Sequence, residues 1–273
     1  MDRGYGMPGL TVVILTKNEE NDIEAAIQNA WQCADEVLVV DSGSTDMTVE
    51  IAKKTGARVV FRAWDDDFAA QRNFALSQTE AEWVLYLDAD ERLNDELVQA
   101  IKKAVAPALT EEARASLNAR ISPSGQQKQY SLQRKTVAFG KEFSYGPLHP
   151  DWVPRLFPQK SVTWVGRVHE HPECNLPLEK LSGHIEHYTY RDWQEWEEKM
   201  SRYSTIWAEE AYKKGRRTLL PVALLHGIGR LFSTLIVHRG FLDGWMGICL
   251  CCMYVSYTML KYLKLYGVQK TNC

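Results

Sequence analysis

The stretch WVLYLDADE, residues 83–91, joins an unbroken apolar run to an abrupt change in polarity. Five apolar or aromatic residues in a row are typical of a strand covered on both faces, as in a parallel sheet. Ligands of open α/β sheets bind just beyond the carboxyl ends of such strands. Asp88 and Asp90 can project to the same side of an extended chain and offer oxygen ligands that suit Mg²⁺ or Mn²⁺. The stretch therefore predicts a strand ending at a metal site, although an acidic turn has the same composition.

The first 105 residues, which include this stretch, alternate strand and helix patterns. The alternation predicts an α/β fold with a mostly parallel central sheet. The spacing of apolar residues places strands at 10–15, 36–40, 58–62 and 83–87, and helices at 23–31, 48–55, 68–77 and from Asn94 or Asp95 to about 105.

The second half of the chain changes in character. Residues 107–129 indicate a short helix and a loop, and residues 183–190 a short extended piece. A long helix is expected from Asp192 to about Lys214. The aromatic and glycine-rich pieces at 130–139, 152–157 and 161–168 predict hairpins added to the main sheet. We therefore expect an α/β domain over residues 1–190 and a helical C-terminal region over 191–273.

That C-terminal region contains two apolar stretches. Residues 219–237 carry few charges, and residues 244–260 carry none, which is close to the lower limit for a spanning helix. Arg and Lys flank both stretches, and Trp and Tyr accompany them, as in helices that lie in a membrane interface. A buried helical pair or an oligomer interface is the alternative.

Composition narrows the function classes. A formal net charge of −3 gives no sign of a nucleic-acid partner. The six cysteines form no CxxC pair, so we expect free thiols in a reducing cytoplasm. The first residues are polar and glycine-rich and do not resemble a secretory signal.

Four polar clusters follow strands or face them in the expected topology: TKNEE at 16–20, DSGSTD at 41–46, QRN at 71–73 and DADE at 88–91. Each alone fits turn or cap chemistry, but their joint occurrence favours one cleft. The sequence contains neither the glycine fingerprint of dehydrogenases nor a Walker A loop. This combination favours a nucleoside-diphosphate sugar held through a metal, and the missing Gly- and Lys-rich loop argues against a sugar nucleotidyltransferase.

These four motifs resemble, in order, those of family 2 inverting glycosyltransferases, which have the GT-A fold. Three later motifs, RLF at 155–157, VHEH at 168–171 and RGFLDG at 239–244, resemble the branch that contains bacterial lipopolysaccharide inner-core β-1,4-glucosyltransferases. The resemblance implies a GT-A catalytic domain over 1–190, with a nucleotide-sugar half at 1–105 and an acceptor half at 130–190.

The resemblance also implies roles for individual residues. Asp90, assisted by Asp88, is expected to hold Mg²⁺ or Mn²⁺. The expected nucleotide-sugar contacts are Thr16, Asn18, Glu19, Asp41, Arg72 and Asp88. Among these, Glu19 and Asp41 are expected at the nucleoside and Arg72 near the diphosphate or sugar.

An inverting transfer needs a general base for the acceptor hydroxyl. Glu170, within VHEH, is the expected base. His169 and His171 are the alternative as base or metal ligands, since two residues at i and i+2 can face one side. Arg155 is either an exposed strand-edge cation or an anion contact.

The leading hypothesis is transfer of a hexose, glucose by resemblance, from a UDP-sugar to a lipid-linked saccharide acceptor such as the lipopolysaccharide inner core. We expect a peripheral enzyme on the cytoplasmic face of the bacterial inner membrane. The alternatives are a polyprenyl-phosphate glycosyltransferase and a non-catalytic nucleotide-sugar-binding protein at the membrane surface.

Overall fold

The computed structural model describes residues 9–106, 127–166 and 170–271. These residues form two compact units. The first takes the described parts of Met1–Arg134 and Trp152–Glu186, and the second takes Lys135–Asp151 and the described part of His187–Cys273. This division differs from the expected boundary at residue 190, because residues 135–151 belong with the helical unit.

A mixed sheet forms the frame of the first unit. The described strands are β1 Leu10–Thr16, β2 Glu36–Asp41, β3 Arg58–Phe61, β4 Trp83–Asp88, β5 Glu91–Leu93, β6 Gln129–Ala138, β7 Lys141–Phe143, β8 Asp151–Pro158, β9 Thr163–Val165, β10 His171–Glu173 and β11 Leu178–Tyr190. The main sheet has the order β3-β2-β1-β4-β8-β6-β11-β5, and β7 pairs with β6.

Only one half of this sheet is parallel. Strands β3, β2, β1 and β4 pair in parallel, whereas β8 joins β4 antiparallel through Leu85 and Leu156. The expected mostly parallel sheet is therefore corrected to a mixed one. The expectation for residues 161–168 was also wrong, because β9 leaves the main sheet and pairs with β10 in a separate two-stranded sheet. Strand β11 has 13 residues and begins well before the short piece expected at residue 183.

The helices confirm most of the predicted segments. They are α1 Ile23–Ala30, α2 Thr48–Lys54, α3 Phe68–Ser77, α4 Asp95–Val105, α5 Trp193–Lys213, α6 Leu220–Phe232 and α7 Gly244–Thr271. Asn94 and Asp192 cap α4 and α5 by accepting hydrogen bonds from the third residue beyond each cap. A wider helical turn, Ser233–Val237, continues α6.

The core of the first unit covers the central strands on both faces. Leu85 and Leu87 of β4 pack with Val12 and Ile14 of β1 in one cluster, beneath α1 and α4. The opposite faces of the same strands bury Tyr86 with Val13 against α3. Because the parallel part of the sheet is covered on both sides, β1, β2 and β4 are buried along nearly their whole length.

Candidate active site

A cleft of about 360 Å³ lies at the carboxyl ends of β1 and β4. It is lined by Leu15, Thr16, Lys17, Glu19, Ser42, Trp64, Phe68, Gln71, Arg72, Asp88, Ala89, Asp90 and Glu170. The fold therefore brings together six of the eight residues singled out in the sequence. Asn18 and Asp41 are not among the lining residues, and His169 lies outside the described residues.

Asn18 and Asp41 organise the loops beside the cleft. The Asp41 carboxylate accepts hydrogen bonds from the Gly43 amide at 2.9 Å and from the Ser44 hydroxyl at 2.5 Å. The side-chain oxygen of Asn18 accepts a hydrogen bond from the backbone N–H of Thr45 at 2.8 Å. The backbone N–H of Asn18 donates a hydrogen bond to the Ser44 hydroxyl at 2.9 Å. Asn18 adopts a positive φ of 58°, which Asn tolerates better than most residues. The two loops after β1 and β2 are thus tied together.

The acidic turn after β4 rests on buried charge. Glu91 is fully buried, and its Oε2 accepts a hydrogen bond from the Asp88 amide at 3.0 Å. Its Oε1 lies 3.0 Å from Nη2 of Arg155, and the same Nη2 lies 2.8 Å from Oδ2 of Asp88. Burial alone would lower the pKa of Arg155, but the carboxylates of Asp88 and Glu91 raise it above its ordinary value. Arg155 is therefore a buried cation that fixes Asp88, which excludes the exposed strand-edge role.

Arg72 joins the acidic turn to Glu170. Its Nη2 lies 3.5 Å from Oδ1 of Asp88 and 3.4 Å from Oε1 of Glu170. The guanidinium carbon lies 4.7 Å from the centre of the Trp164 ring and 5.4 Å from that of Tyr86. Contacts of this kind hold a cation by its attraction to the ring faces. Nε and Nη1 of Arg72 are buried and make no hydrogen bond in the structure. Arg72 also lines the cleft, so its charge faces a site where an anionic ligand would be favoured.

Glu170 and His171 have different surroundings. Glu170 lines the cleft and contacts Arg72, whereas His171 is exposed and begins β10, where it pairs with Val165. The cleft thus receives the carboxylate of this motif, and His171 is not among the residues that line it.

The donor set of the cleft suits a divalent cation bound together with a substrate. Asp88, Asp90, Glu19 and Glu170 supply hard oxygen ligands in one cleft. Within the described ranges, no cluster of three or more His, Cys, Asp or Glu could hold a metal by itself. A Mg²⁺ ion held by Asp88 and Asp90 would therefore need further ligands from substrate phosphates and water, as Mg²⁺ sites usually have. Asp88 and Asp90 therefore fit the metal as partial ligands.

Sequence reasoning missed Glu91 and the aromatic side chains of the cleft. Glu91 follows the Asp-x-Asp pair directly, and an acidic residue at the start of a short buried strand was the available signal. Trp64 and Phe68 pack edge to face with ring centres 4.6 Å apart and line the cleft. Trp164 packs edge to face on Tyr86 at 5.0 Å, beneath Arg72. Nothing in the local sequence indicated that these rings would meet.

Comparison with known proteins identifies the family. The glycosyl transferase family 2 domain matches residues 11–164, more than half of the chain. The chain belongs to this family. It is therefore a glycosyltransferase, and its family match with the mixed α/β sheet agrees with the expected GT-A-like fold.

Two glycosyltransferases are similar to the chain over different lengths. An uncharacterised glycosyltransferase of Rickettsia typhi is 28% identical over 265 residues, which cover 95% of this chain and 87% of that protein. The lipopolysaccharide core biosynthesis glycosyltransferase LpsC of Rhizobium meliloti is 33% identical over 102 residues, 36% of this chain and 37% of that protein.

Among solved structures, glucosyl-3-phosphoglycerate synthase from Mycobacterium tuberculosis, in complex with Mn²⁺, UDP and glucosyl-3-phosphoglycerate, is similar to part of the chain. Its TM-score is 0.32 and its identity 26%, over 47% of this chain and 43% of that chain.

Proposed function

We propose that this glycosyltransferase moves a hexose, in the first place glucose, from a UDP-sugar to a lipid-linked saccharide acceptor, with inversion at the anomeric carbon. The acceptor we favour is the lipopolysaccharide inner core, met at the cytoplasmic face of the bacterial inner membrane. The observation that carries the proposal is the link through Arg72 between Asp88 and Glu170 in one cleft. The similarity to LpsC supports the choice of acceptor.

The residues of the cleft divide into a donor set and a base. Thr16, Glu19, Arg72 and Asp88 would bind the UDP-sugar, and the positive charge of Arg72 would attract its diphosphate. Asn18 and Asp41 would act on the nucleoside through the loops they tie together. Asp88 and Asp90 would hold Mg²⁺ or Mn²⁺, which when bound neutralises charge on the departing diphosphate.

Glu170 would remove the proton from the acceptor hydroxyl. The acceptor oxygen then forms a bond to the sugar C1 while the bond from C1 to the diphosphate oxygen breaks, and UDP leaves with the electron pair. Arg72 would hold the Glu170 carboxylate in place, because its Nη2 lies 3.4 Å from Oε1 of Glu170.

A donor screen tests this proposal. UDP-glucose, UDP-galactose and UDP-N-acetylglucosamine are offered with Mg²⁺, with Mn²⁺ or with EDTA, and release of UDP is followed. We expect UDP-glucose turnover that EDTA abolishes and that Asp90→Ala nearly eliminates. Asp95→Ala removes an exposed carboxylate at the start of α4 and serves as the control. Full activity of Asp90→Ala in excess EDTA would contradict the metal role.

Acceptor specificity is tested with the active donor. Truncated lipopolysaccharide core and polyprenyl phosphate are compared as acceptors, and the anomeric configuration of the product is read by NMR. The proposal requires a β-linked product on the saccharide. Transfer to polyprenyl phosphate alone would replace it with the alternative acceptor class.

A further inference from the structure

The second unit exposes an apolar surface along α6. Two helical stretches, Leu220–Val237 and Gly240–Thr271, have the length and composition of membrane helices, yet an apolar window of 18 residues is only 17% buried in the first and 22% buried in the second. A core helix of a soluble protein would be mostly buried. The alternative of a helical pair buried within the chain does not fit α6, whose large apolar side chains are exposed, and these side chains call for a partner.

One side of α6 packs against α7 through small residues. Ala223 and Gly227 are buried, and a Cβ on Gly227 would lie 2.8 Å from Cγ of Met259. A larger residue at this position would force the Met259 side chain to move, so glycine favours the close approach of the two helices. Thr234 is buried on the same side, in the turn that continues α6. Since α7 already covers this side, a partner of α6 would have to bind its other sides.

The outer face of α6 is apolar along its length. We define it as Leu220, Leu224, Leu225, Ile228, Leu231, Phe232 and Ile236. Leu225 is 66% exposed and Phe232 is 62% exposed. At 3.6 residues per turn these side chains fall on one side of the helix, whereas His226 and Arg230 fall on another. The polar residues of α6 therefore do not interrupt the apolar face.

The charge around this face selects an anionic partner. Residues 211–273 contain one acidic residue, Asp243, and nine basic residues: Lys213, Lys214, Arg216, Arg217, Arg230, Arg239, Lys261, Lys264 and Lys270. The Asp243 carboxylate accepts hydrogen bonds from the amides of Ser144 and Tyr145, so it serves the loop beside it. Arg216 and Arg217 precede the face and Arg239 follows it, all three exposed.

We infer that the outer face of α6 inserts into the surface of a bilayer that contains anionic phospholipid, with the helix parallel to that surface. Leu220–Val237 spans roughly 27 Å at 1.5 Å per residue and contains Arg230, which argues against crossing a 30 Å hydrocarbon layer. Trp245, 70% exposed at the start of α7, is the residue type that favours the water–lipid boundary. The inference rests on the membrane-surface location proposed above and adds the surface that makes the contact.

Vesicle binding of the full chain, without donor or acceptor, tests the inference. We use vesicles of phosphatidylcholine alone and vesicles with added phosphatidylglycerol. We expect the wild type to bind the anionic vesicles. Leu224→Glu should bind them roughly 10-fold or more weakly, because it loses a leucine that the bilayer would bury and gains a charge that the anionic lipid repels. The matched control is Leu178→Glu, since Leu178 is 53% and Leu224 54% exposed. The control is expected to bind like the wild type.

A second pair of variants tests the charge. Arg216→Gln with Arg217→Gln should weaken binding roughly 30-fold to anionic vesicles at low salt and leave binding to neutral vesicles unchanged. Failure of the wild type to bind either vesicle would overturn the inference. So would equal binding by Leu224→Glu, or a dimer without vesicles that Leu224→Glu dissociates while vesicle binding persists. Release of UDP from UDP-glucose, measured without vesicles, shows separately whether the proposed catalytic function stands.

Discussion

The acidic turn after β4 buries charged side chains that proteins usually expose, whereas the outer face of α6 exposes apolar side chains that proteins usually bury. Around Asp88, charge is buried: Glu91 has no exposed surface and Arg155 is 5% exposed. Along α6, large apolar side chains face solvent. Buried charge is tolerated only when it is paired, whereas an apolar face of this size calls for a partner outside the chain. The buried charges are thus paired within the fold, whereas the apolar face of α6 requires a partner from outside it.

The buried pair should give the largest effect on stability. Arg155→Met removes the guanidinium shared by Glu91 and Asp88, while Arg134 stays 3.6 Å from Glu91 and Arg72 stays 3.5 Å from Asp88. We expect a loss of about 3 kcal/mol in the free energy of unfolding, the lower end for breaking a buried ion pair. Urea unfolding of the full chain measures it. The control is Arg58→Met, which removes a half-exposed ion pair to Glu36 and should cost about 1 kcal/mol or less. Equal losses in the two variants would show that the acidic turn is not desolvated.

The next effect concerns the carboxylate that Arg72 holds. Glu170→Gln should keep UDP-sugar affinity and lower kcat about 100-fold or more, because an amide cannot accept the proton. Glu173→Gln, an exposed neighbour in β10, is the matched control and should retain full turnover. Steady-state kinetics and calorimetric donor binding separate the two parameters. Normal turnover of Glu170→Gln together with an inactive His171→Ala would reassign the base.

A smaller effect is expected on how the free energy of unfolding depends on pH, and it comes from a thiol beside the core of the first unit. Burial raises the pKa of Cys33 from 9.0 to about 12, so the folded protein keeps this thiol neutral where an unfolded chain ionises it. Its contribution to stability is therefore fully present below pH 9 and falls as the pH rises toward 12. Unfolding of wild type and Cys33→Ala from pH 8 to pH 11 measures the gap between them. A constant gap would mean that Cys33 is solvated.

The smallest effect is expected on α6. Leu225→Gln should change the free energy of unfolding without membranes by about 0.5 kcal/mol or less, because the side chain has little packing to lose. Leu85→Ala, in the core of β4, should cost about 2–5 kcal/mol and calibrates the assay. A large loss for Leu225→Gln would mean that α6 packs within the protein, and the comparison between the two regions would fail.

Local sequence determined much of this protein. Apolar runs and helical spacing located four strands and four helices of the first 105 residues to within about two residues, because each pattern reflects burial on the faces of its own element, but they missed the short strand β5. Thr16, Glu19, Asp88 and Asp90 were expected in one cleft because strand ends of a parallel sheet share an edge, whereas the roles of Arg72 and Glu170 were expected from the resemblance to the family; all six line the cleft. The roles of these residues stay predictions.

Only the tertiary structure decided which charges meet. Arg155 lies far along the chain from Asp88, and only the antiparallel pairing of β8 with β4 brings the two together. The same pairing makes the sheet mixed. Trp164 reaches Arg72 from a strand outside the main sheet. Apolar sequence alone could not distinguish a buried helix from an exposed one, because both have the same composition. The packing of Gly227 on Met259 leaves the opposite face of α6 uncovered, and that contact exists only in the folded chain.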